Sequence, residues 1–138
     1  MSNDIKVMFG AVGSFVASWF GGWTSALQFA VILMAIDIIM GYMVAIFFKS
    51  PKTVNGGLSS NVSWKGMCKK CTMLIFVIIG HNIDITFSMD YVKTGVCIAI
   101  IVNELTSIIE NGKLMGVNIP IISEVVEVIS KDKGTIEK

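Results

Sequence analysis

The sequence predicts an all-α integral membrane protein with three transmembrane helices, an N-terminal amphipathic or short membrane helix and a C-terminal amphipathic helix. Hydrophobic residues make up 54% of the 138 residues and charged residues only 15%, where about 25% charged is usual for a soluble domain. Unbroken apolar runs reach the roughly 20 residues that a helix needs to cross a bilayer. No run alternates polar and apolar side chains as the strands of a transmembrane barrel do. The length fits a single domain, 1–138.

The first predicted helix, residues 5–21, has one face of small side chains and one of bulky apolar side chains. Its length is at the lower limit for crossing a membrane. Two interpretations remain open: the helix lies in the membrane interface, or it is a short span that packs through its small face. Lys6 and Gly21 share that face with the candidate contact residues, which are Gly10, Gly13, Ser14, Ala17 and Ser18. The glycines after Phe20 break the helix, so the N-terminal segment is residues 1–23.

Residues 25–48 form the strongest predicted span, and their one charged residue, Asp37, lies near the middle. A charge at the bilayer centre costs roughly 2.5–3.5 kcal/mol, so we expect Asp37 to face protein or water. Small residues share its helical face, namely Ala26, Ala30, Gly41 and Ala45. This face is either a helix-packing seam or a seam that also lines an aqueous pathway.

Residues 49–71 are interpreted as a hydrophilic loop with five lysines, and no acidic residue occurs between Asp37 and Asp84. Short loops rich in lysine stay on the cytoplasmic side of the membrane. Cys68 and Cys71 form a CxxC pair in this segment. The pair lacks the second pair of ligands that a zinc site needs, so no metal is predicted.

Residues 72–89 form the second predicted span. His81 and Asp84 lie three positions apart on one helical face with Val77, so they can interact with each other or with Asp37. Two side chains are too few for a metal site. A histidine inside a span is either a packing residue or a functional one.

The third predicted span, residues 91–110, is the most polar. Ala99, Asn103, Ser107 and Glu110 share a face, and Glu104 lies beside it near mid-depth. Lys93 is expected to extend outward to the interface. Such a helix belongs in the bundle interior or in an oligomer interface.

After the third span, residues 120–130 predict a short amphipathic helix on the membrane or on a partner, and the last residues a soluble tail. With the 49–71 loop inside, the tail, 111–138, is cytoplasmic. It carries four lysines, namely Lys113, Lys131, Lys133 and Lys138. The N-terminus is outside if residues 5–21 stay in the interface and inside if they cross.

Polar residues near mid-depth, with Asp37, His81 and Glu104 on three different spans, are costly for a chain alone in lipid. We therefore expect self-association with the polar faces turned inward.

No set of residues resembles a catalytic constellation, a phosphate loop or a metal cluster. All eleven basic residues are lysine, without the basic stripe of nucleic-acid binders. The sequence thus predicts no enzyme, no cofactor, no metal and no nucleic-acid partner.

Several ordered motifs carry a family resemblance over roughly residues 22–130. They are Asp37-x-x-x-Gly41 with Ala45, Ser63-x-Lys65-Gly66-x-x-Lys69-Lys70, His81-x-x-Asp84, Asn103-Glu104-x-x-Ser107-Ile108-x-Glu110-Asn111 and Gly116-Val117-x-Ile119-Pro120. In order and spacing they resemble the toxin secretion/phage lysis holin family (holin family 4), which includes clostridial phage and toxin-locus holins.

The resemblance implies a passive pore-former of the bacterial cytoplasmic membrane that forms large homo-oligomers in the lipid bilayer. At a set time the pores release an endolysin for phage host cell lysis, or a large toxin. The candidate pore or oligomer-interface residues are Asp37, Gly41, His81, Asp84, Asn103, Glu104, Ser107 and Glu110. Other interpretations remain open: an antiholin, which would partner a holin, a small ion or proton channel-transporter, or an accessory membrane subunit.

Overall fold

The computed structural model describes the backbone of residues 2–136 and the side chains of residues 2–132. Within this range the chain forms five helices and no strand. They are α1 (Asn3–Trp19), α2 (Ser25–Phe47), α3 (Ser60–Phe87), α4 (Val92–Leu114) and α5 (Pro120–Ile136). Three of them, α2, α3 and α4, are long and apolar enough to cross a membrane. The predicted fold class is therefore confirmed.

The three largest differences from the predicted helix boundaries are at the start of α3, the end of α4 and the end of α5. The α3 helix begins at Ser60, so residues 60–71 are helical and the connecting loop is only 48–59. The loop was predicted from polarity, but no proline follows Pro51 before the span, so nothing there interrupts a helix. The α4 helix continues past Glu110 to Leu114, and the chain then turns at Gly116, whose φ is +82°.

The predicted C-terminal tail is helical as far as Ile136. Pro120 occupies the first position of α5, where its missing N–H removes no helical hydrogen bond. Lys131 Nζ donates to Glu127 Oε1 over 2.5 Å. This hydrogen bond connects the predicted helix, residues 120–130, to the first residue of the predicted tail. This hydrogen bond and the lysine charge lower the pKa of Glu127. The side chain of Lys133 and the whole of Lys138 lie outside the described residues.

The α4 helix is the centre of the bundle, because it packs against α2, α3 and α5. This agrees with the expectation that the most polar span belongs in the interior. The buried apolar core comes from α2, α3 and α4 and consists of Leu27, Ala30, Leu33, Met34, Val77, Cys97, Ile100 and Ile101. Large apolar side chains on the outside of α2 and α3, such as Ile39 and Phe76, are exposed, as lipid-facing residues would be.

The α3 and α4 helices form an antiparallel hairpin, and α2 runs in the same direction as α4. The residues just before α2 contact Lys93 at the start of α4, and Asp37 in the middle of α2 shares a partner with Glu104 in the middle of α4. The bundle thus has two ends. We call the end with the 20–24 and 88–91 connections the turn end, and the end with the 48–59 loop the loop end.

At the turn end, two glycines and a threonine connect α1 to α2. Gly21 and Gly22 have φ values of +67° and +88°, in the left-handed region that glycine adopts at little cost. The Thr24 side chain then accepts from the Leu27 N–H in the first turn of α2, as an N-cap residue does. The break predicted after Phe20 is therefore a tight turn between two helices.

The α1 helix stands apart from the bundle. None of its residues is buried, and a Cβ added at Gly10 or Gly13 would meet nothing within 4 Å. The chain rejoins the bundle only at the end of α1, where Phe20 packs against the core and Gly21 lies against the His81 ring. Among the residues that the structure describes, the small face of α1 is therefore open from Lys6 to Ser14.

Gly80 allows α3 and α4 to approach closely, since a Cβ there would lie 3.2 Å from Lys93 Cα. We expect Gly80→Ala to destabilise the bundle by about 1–3 kcal/mol, because backbone has to move. Gly95→Ala on α4 is the matched control, since its added Cβ meets nothing within 4 Å. The control should be neutral, or stabilising by up to about 1 kcal/mol. Unfolding in mixed detergent micelles, followed by circular dichroism, measures both, and equal effects would contradict this assignment.

Candidate functional site: a buried ionic cluster

Three ionisable side chains from three different helices meet inside the bundle. Lys70 Nζ of α3 lies 2.9 Å from Asp37 Oδ2 of α2 and also contacts Glu104 Oε2 of α4. The side chains are 12% exposed for Lys70, 13% for Asp37 and 2% for Glu104. We call these three residues the ionic cluster. It joins α2, α3 and α4 at a single point.

Two asparagines complete the hydrogen bonding of the ionic cluster. Asn111 Nδ2 donates to Asp37 Oδ1 over 3.1 Å. Asn103 Nδ2 donates to Glu104 Oε1, also over 3.1 Å. All four carboxylate oxygens therefore have a donor, as the burial of charged groups requires.

The ionic cluster has a formal net charge of −1, from two carboxylates and one ammonium group. Removing ions from water is expensive, and their mutual attraction repays this cost only with good geometry and satisfied hydrogen bonds. Placed in a bilayer, each charge facing lipid would cost roughly 2.5–3.5 kcal/mol. The arrangement is therefore stable only while the three helices remain together or water takes the place of the missing partner.

The Asp37–Lys70 side of the ionic cluster lies at the deep end of a cleft between α2 and α3. The cleft has a cavity volume of about 140 Å³ and is bounded by the 48–59 loop at its other end. Gly41 and Gly66 line its walls, and neither glycine has an atom within 4 Å of an added Cβ. The cleft gives the ionic cluster access to the loop end of the bundle.

A second polar group lies at the turn end, where the structure differs from the sequence interpretation. The spacing allows Asp84 to interact with His81 or Asp37, but its two carboxylate oxygens accept from the N–H groups of Val92 and Lys93 at the start of α4. It therefore acts as a helix cap. Lys93 was expected to extend outward, but it is buried and donates to the carbonyls of Gly21 and Gly22. His81 lies against Gly21, away from the ionic cluster.

The remaining predicted site residues are distributed along the bundle. Asp37 and Glu104 belong to the ionic cluster, Asn103 donates a hydrogen bond to it, and Gly41 lines the cleft. Ser107 is half-buried and Glu110 exposed on α4. On α1, Ala17 is half-buried, while the other small-face candidates, Gly10, Gly13, Ser14 and Ser18, are exposed. Within the part of the chain that the structure describes, no three His, Cys, Asp or Glu side chains come together as metal ligands.

Lys70 is the central residue that sequence reasoning missed. The sequence interpretation places it with Lys69 in the lysine-rich 49–71 segment, which serves as the cytoplasmic anchor, and not on a buried helical face. A signal was nevertheless present: Lys70 lies seven positions before Val77, which places it on the same helical face as the apolar core. Extending the face of Val77 and His81 backward would have predicted an inward-pointing cation.

Comparison with known proteins gives a consistent picture. The family model described as "Bacteriophage holin family" matches residues 14–131. An uncharacterised protein of Halalkalibacterium halodurans is 31% identical over 129 residues, which cover 89% of each chain. An uncharacterised protein of Listeria innocua is 32% identical over 113 residues, covering 81% of this chain and 74% of its own. Another from Listeria monocytogenes is 39% identical over 66 residues, or 47% of each chain. No solved structure matches.

Proposed function

The chain belongs to the bacteriophage holin family, and from that premise we propose that it oligomerises in a bacterial cytoplasmic membrane and forms pores wide enough for folded protein. Holins are pore-forming proteins without catalytic activity. The cargo released through such pores is an endolysin in phage lysis or a large toxin in toxin secretion. The observation that carries the proposal is the ionic cluster at the centre of a membrane-length bundle.

The ionic cluster supports a pore-former because it can exist in two environments. In the single chain, Asp37, Lys70 and Glu104 satisfy one another while large apolar side chains face outward, so the chain is compatible with lipid. In an assembly around a water-filled opening, the same charges can be hydrated instead. In this transition the charged side chains lose their ion-pair partners and gain water. The transition becomes favourable only when many copies together enclose a volume of water.

The orientation follows from the lysine distribution. At the loop end Lys49, Lys52, Lys65 and Lys69 are all exposed, and positive charge in short connections remains on the cytoplasmic side. We therefore place the loop end inside and the turn end outside. The α5 helix then lies in the cytoplasm, because α4 ends at the loop end.

The test is inducible expression in a bacterial host that contains a folded cytosolic reporter enzyme. We expect abrupt growth arrest and reporter activity in the medium after mild muralytic treatment that leaves intact membranes closed. A Gly80→Val chain, in which the added side chain separates α3 from α4, serves as the inactive control. Arrest with the reporter retained would contradict wide pores.

A narrow ion or proton channel is the second candidate, favoured by the cleft that leads to Asp37 and Lys70. Such a channel would dissipate the membrane potential without releasing the reporter. An antiholin would leave growth unaffected when expressed alone and would delay lysis by a co-expressed holin. The same assay therefore separates the three functions.

A further inference from the structure

We propose that α1 crosses the membrane against the α2–α3 cleft of a second copy of this chain, where Lys6 pairs with Asp37 of that copy. The inference deepens the proposed function, on which it rests, because it names the contact through which copies associate. It is carried by three features of the chain: the exposed α1 helix, the similar distances of Lys6 and Asp37 from the turn between α1 and α2, and the formal charge of the ionic cluster.

Among the described residues, α1 has no packing partner along nearly its whole length. It buries no residue in its own chain, and the positions around Gly10 and Gly13 are open. Bulky side chains cover the other face, including Phe9, Val12 and Val16, which are all exposed. An apolar helix with one small face is suited to packing closely against another helix in lipid.

The depths of Lys6 and Asp37 agree because α1 and α2 meet at the same turn. The α1 helix ends at Trp19 and α2 begins at Ser25. From the helical rise per residue, Lys6 lies about 20 Å before the end of α1, and Asp37 lies about 18 Å after the start of α2. If α1 crosses the membrane, every copy therefore carries Lys6 at the level of every other copy's Asp37.

The charges at that level are complementary. The ionic cluster has a formal net charge of −1, and its Asp37–Lys70 side lines an open cleft. Lys6 lies on the small face of α1, while Asp4, two positions earlier, is about 200° away around the helix. The small face therefore presents a cation to a cluster that has one cation too few. Lys6 would lie about 10 Å short of the far side of a roughly 30 Å hydrocarbon core, and an anionic partner at that depth lowers the cost of its charge.

A contact of this kind is heterologous, because each copy donates α1 and accepts another copy's α1 at a different surface. Heterologous contacts build rings or open-ended arrays rather than closed pairs. A chain that accepts α1 but cannot donate its own would end such an array. This property matches assemblies that grow large once copies are abundant.

Disulfide crosslinking between two co-expressed chains tests the contact. In a background with Cys68, Cys71 and Cys97 replaced by alanine, one tagged chain carries Asn3→Cys and a second, differently tagged chain carries Gly41→Cys. From the helical rise, both positions lie about 24 Å from the shared turn. An added Cβ at Gly41 has nothing within 4 Å. Ile5→Cys, at a similar depth on the opposite face of α1, is the matched control.

We expect oxidation in membranes to join the two tags at least fivefold more efficiently for Asn3→Cys than for Ile5→Cys. Adding Lys6→Gln should reduce the crosslink severalfold, while Lys6→Arg should retain it. Equal crosslinking from both faces, or no crosslink between tags, overturns the proposal. So does a single chain with both cysteines that closes its disulfide internally. Reporter release by the cysteine-free background is measured separately, so loss of this contact is distinguishable from loss of pore formation.

Discussion

Replacing Lys70 by methionine is expected to lower the free energy of unfolding by about 3–5 kcal/mol, because it leaves two buried carboxylates without their cation. Asp37 and Glu104 would face each other at formal like charge, with only the amides of Asn103 and Asn111 as donors. Methionine preserves most of the side-chain volume, so the loss reports the charge rather than a cavity. Unfolding in mixed detergent micelles and the amount of chain in membranes both measure it.

Lys69→Met is the matched control, since Lys69 is the neighbouring residue and is exposed. We expect its stability to change by no more than about 0.5 kcal/mol, as for most surface substitutions. Equal effects of the two substitutions would show that Lys70 does not hold the bundle together. Because Lys69→Met also removes one positive charge near the loop end, it controls for altered membrane orientation.

The helices were predictable because the sequence signals them locally. The α2 span ends within one residue of its predicted boundaries, since Thr24 begins it and the Lys49–Pro51 segment follows it. The start of α3 was not predictable from hydropathy, because residues 60–71 are polar yet contain no proline, and the helix tolerates the single glycine Gly66. Polarity reports where a segment meets water, while helix formation depends on backbone constraints.

The partners of the site residues were harder to predict than the residues themselves. Asp37 and Glu104 were identified because charges are rare inside spans. Their common partner Lys70 was not, because its role depends on how far α3 extends beyond the apolar run. Asp84 was assigned to the site for the same reason as Asp37, but the tight 88–91 turn brings the start of α4 onto its carboxylate. Spacing along one helix cannot show which neighbour a turn brings into reach.

Complete neutralisation of the ionic cluster is expected to separate stability from pore formation. In the triple variant Asp37→Asn, Lys70→Met and Glu104→Gln, no buried charge remains unpaired. The new amide oxygens at positions 37 and 104 can still accept from Asn111 and Asn103, so the variant avoids the cost of an unpaired buried charge. We therefore expect the triple variant to recover most of the stability lost in Lys70→Met and to accumulate in the membrane like the unaltered chain.

Pore formation should respond differently. Hydration stabilises the charged side chains of the ionic cluster when they face water, and the neutral side chains of the triple variant gain less from it. At equal accumulation we expect the triple variant to delay growth arrest and reporter release at least several-fold. The onset time is measured after induction, with membrane levels matched by immunoblot. Lysis at the unaltered time would assign the ionic cluster to helix packing alone. The charges would then not contribute to the free-energy difference between the single chain in lipid and the open assembly. A delay in a stable variant would instead place the driving force for opening in the exchange of these ion pairs for water.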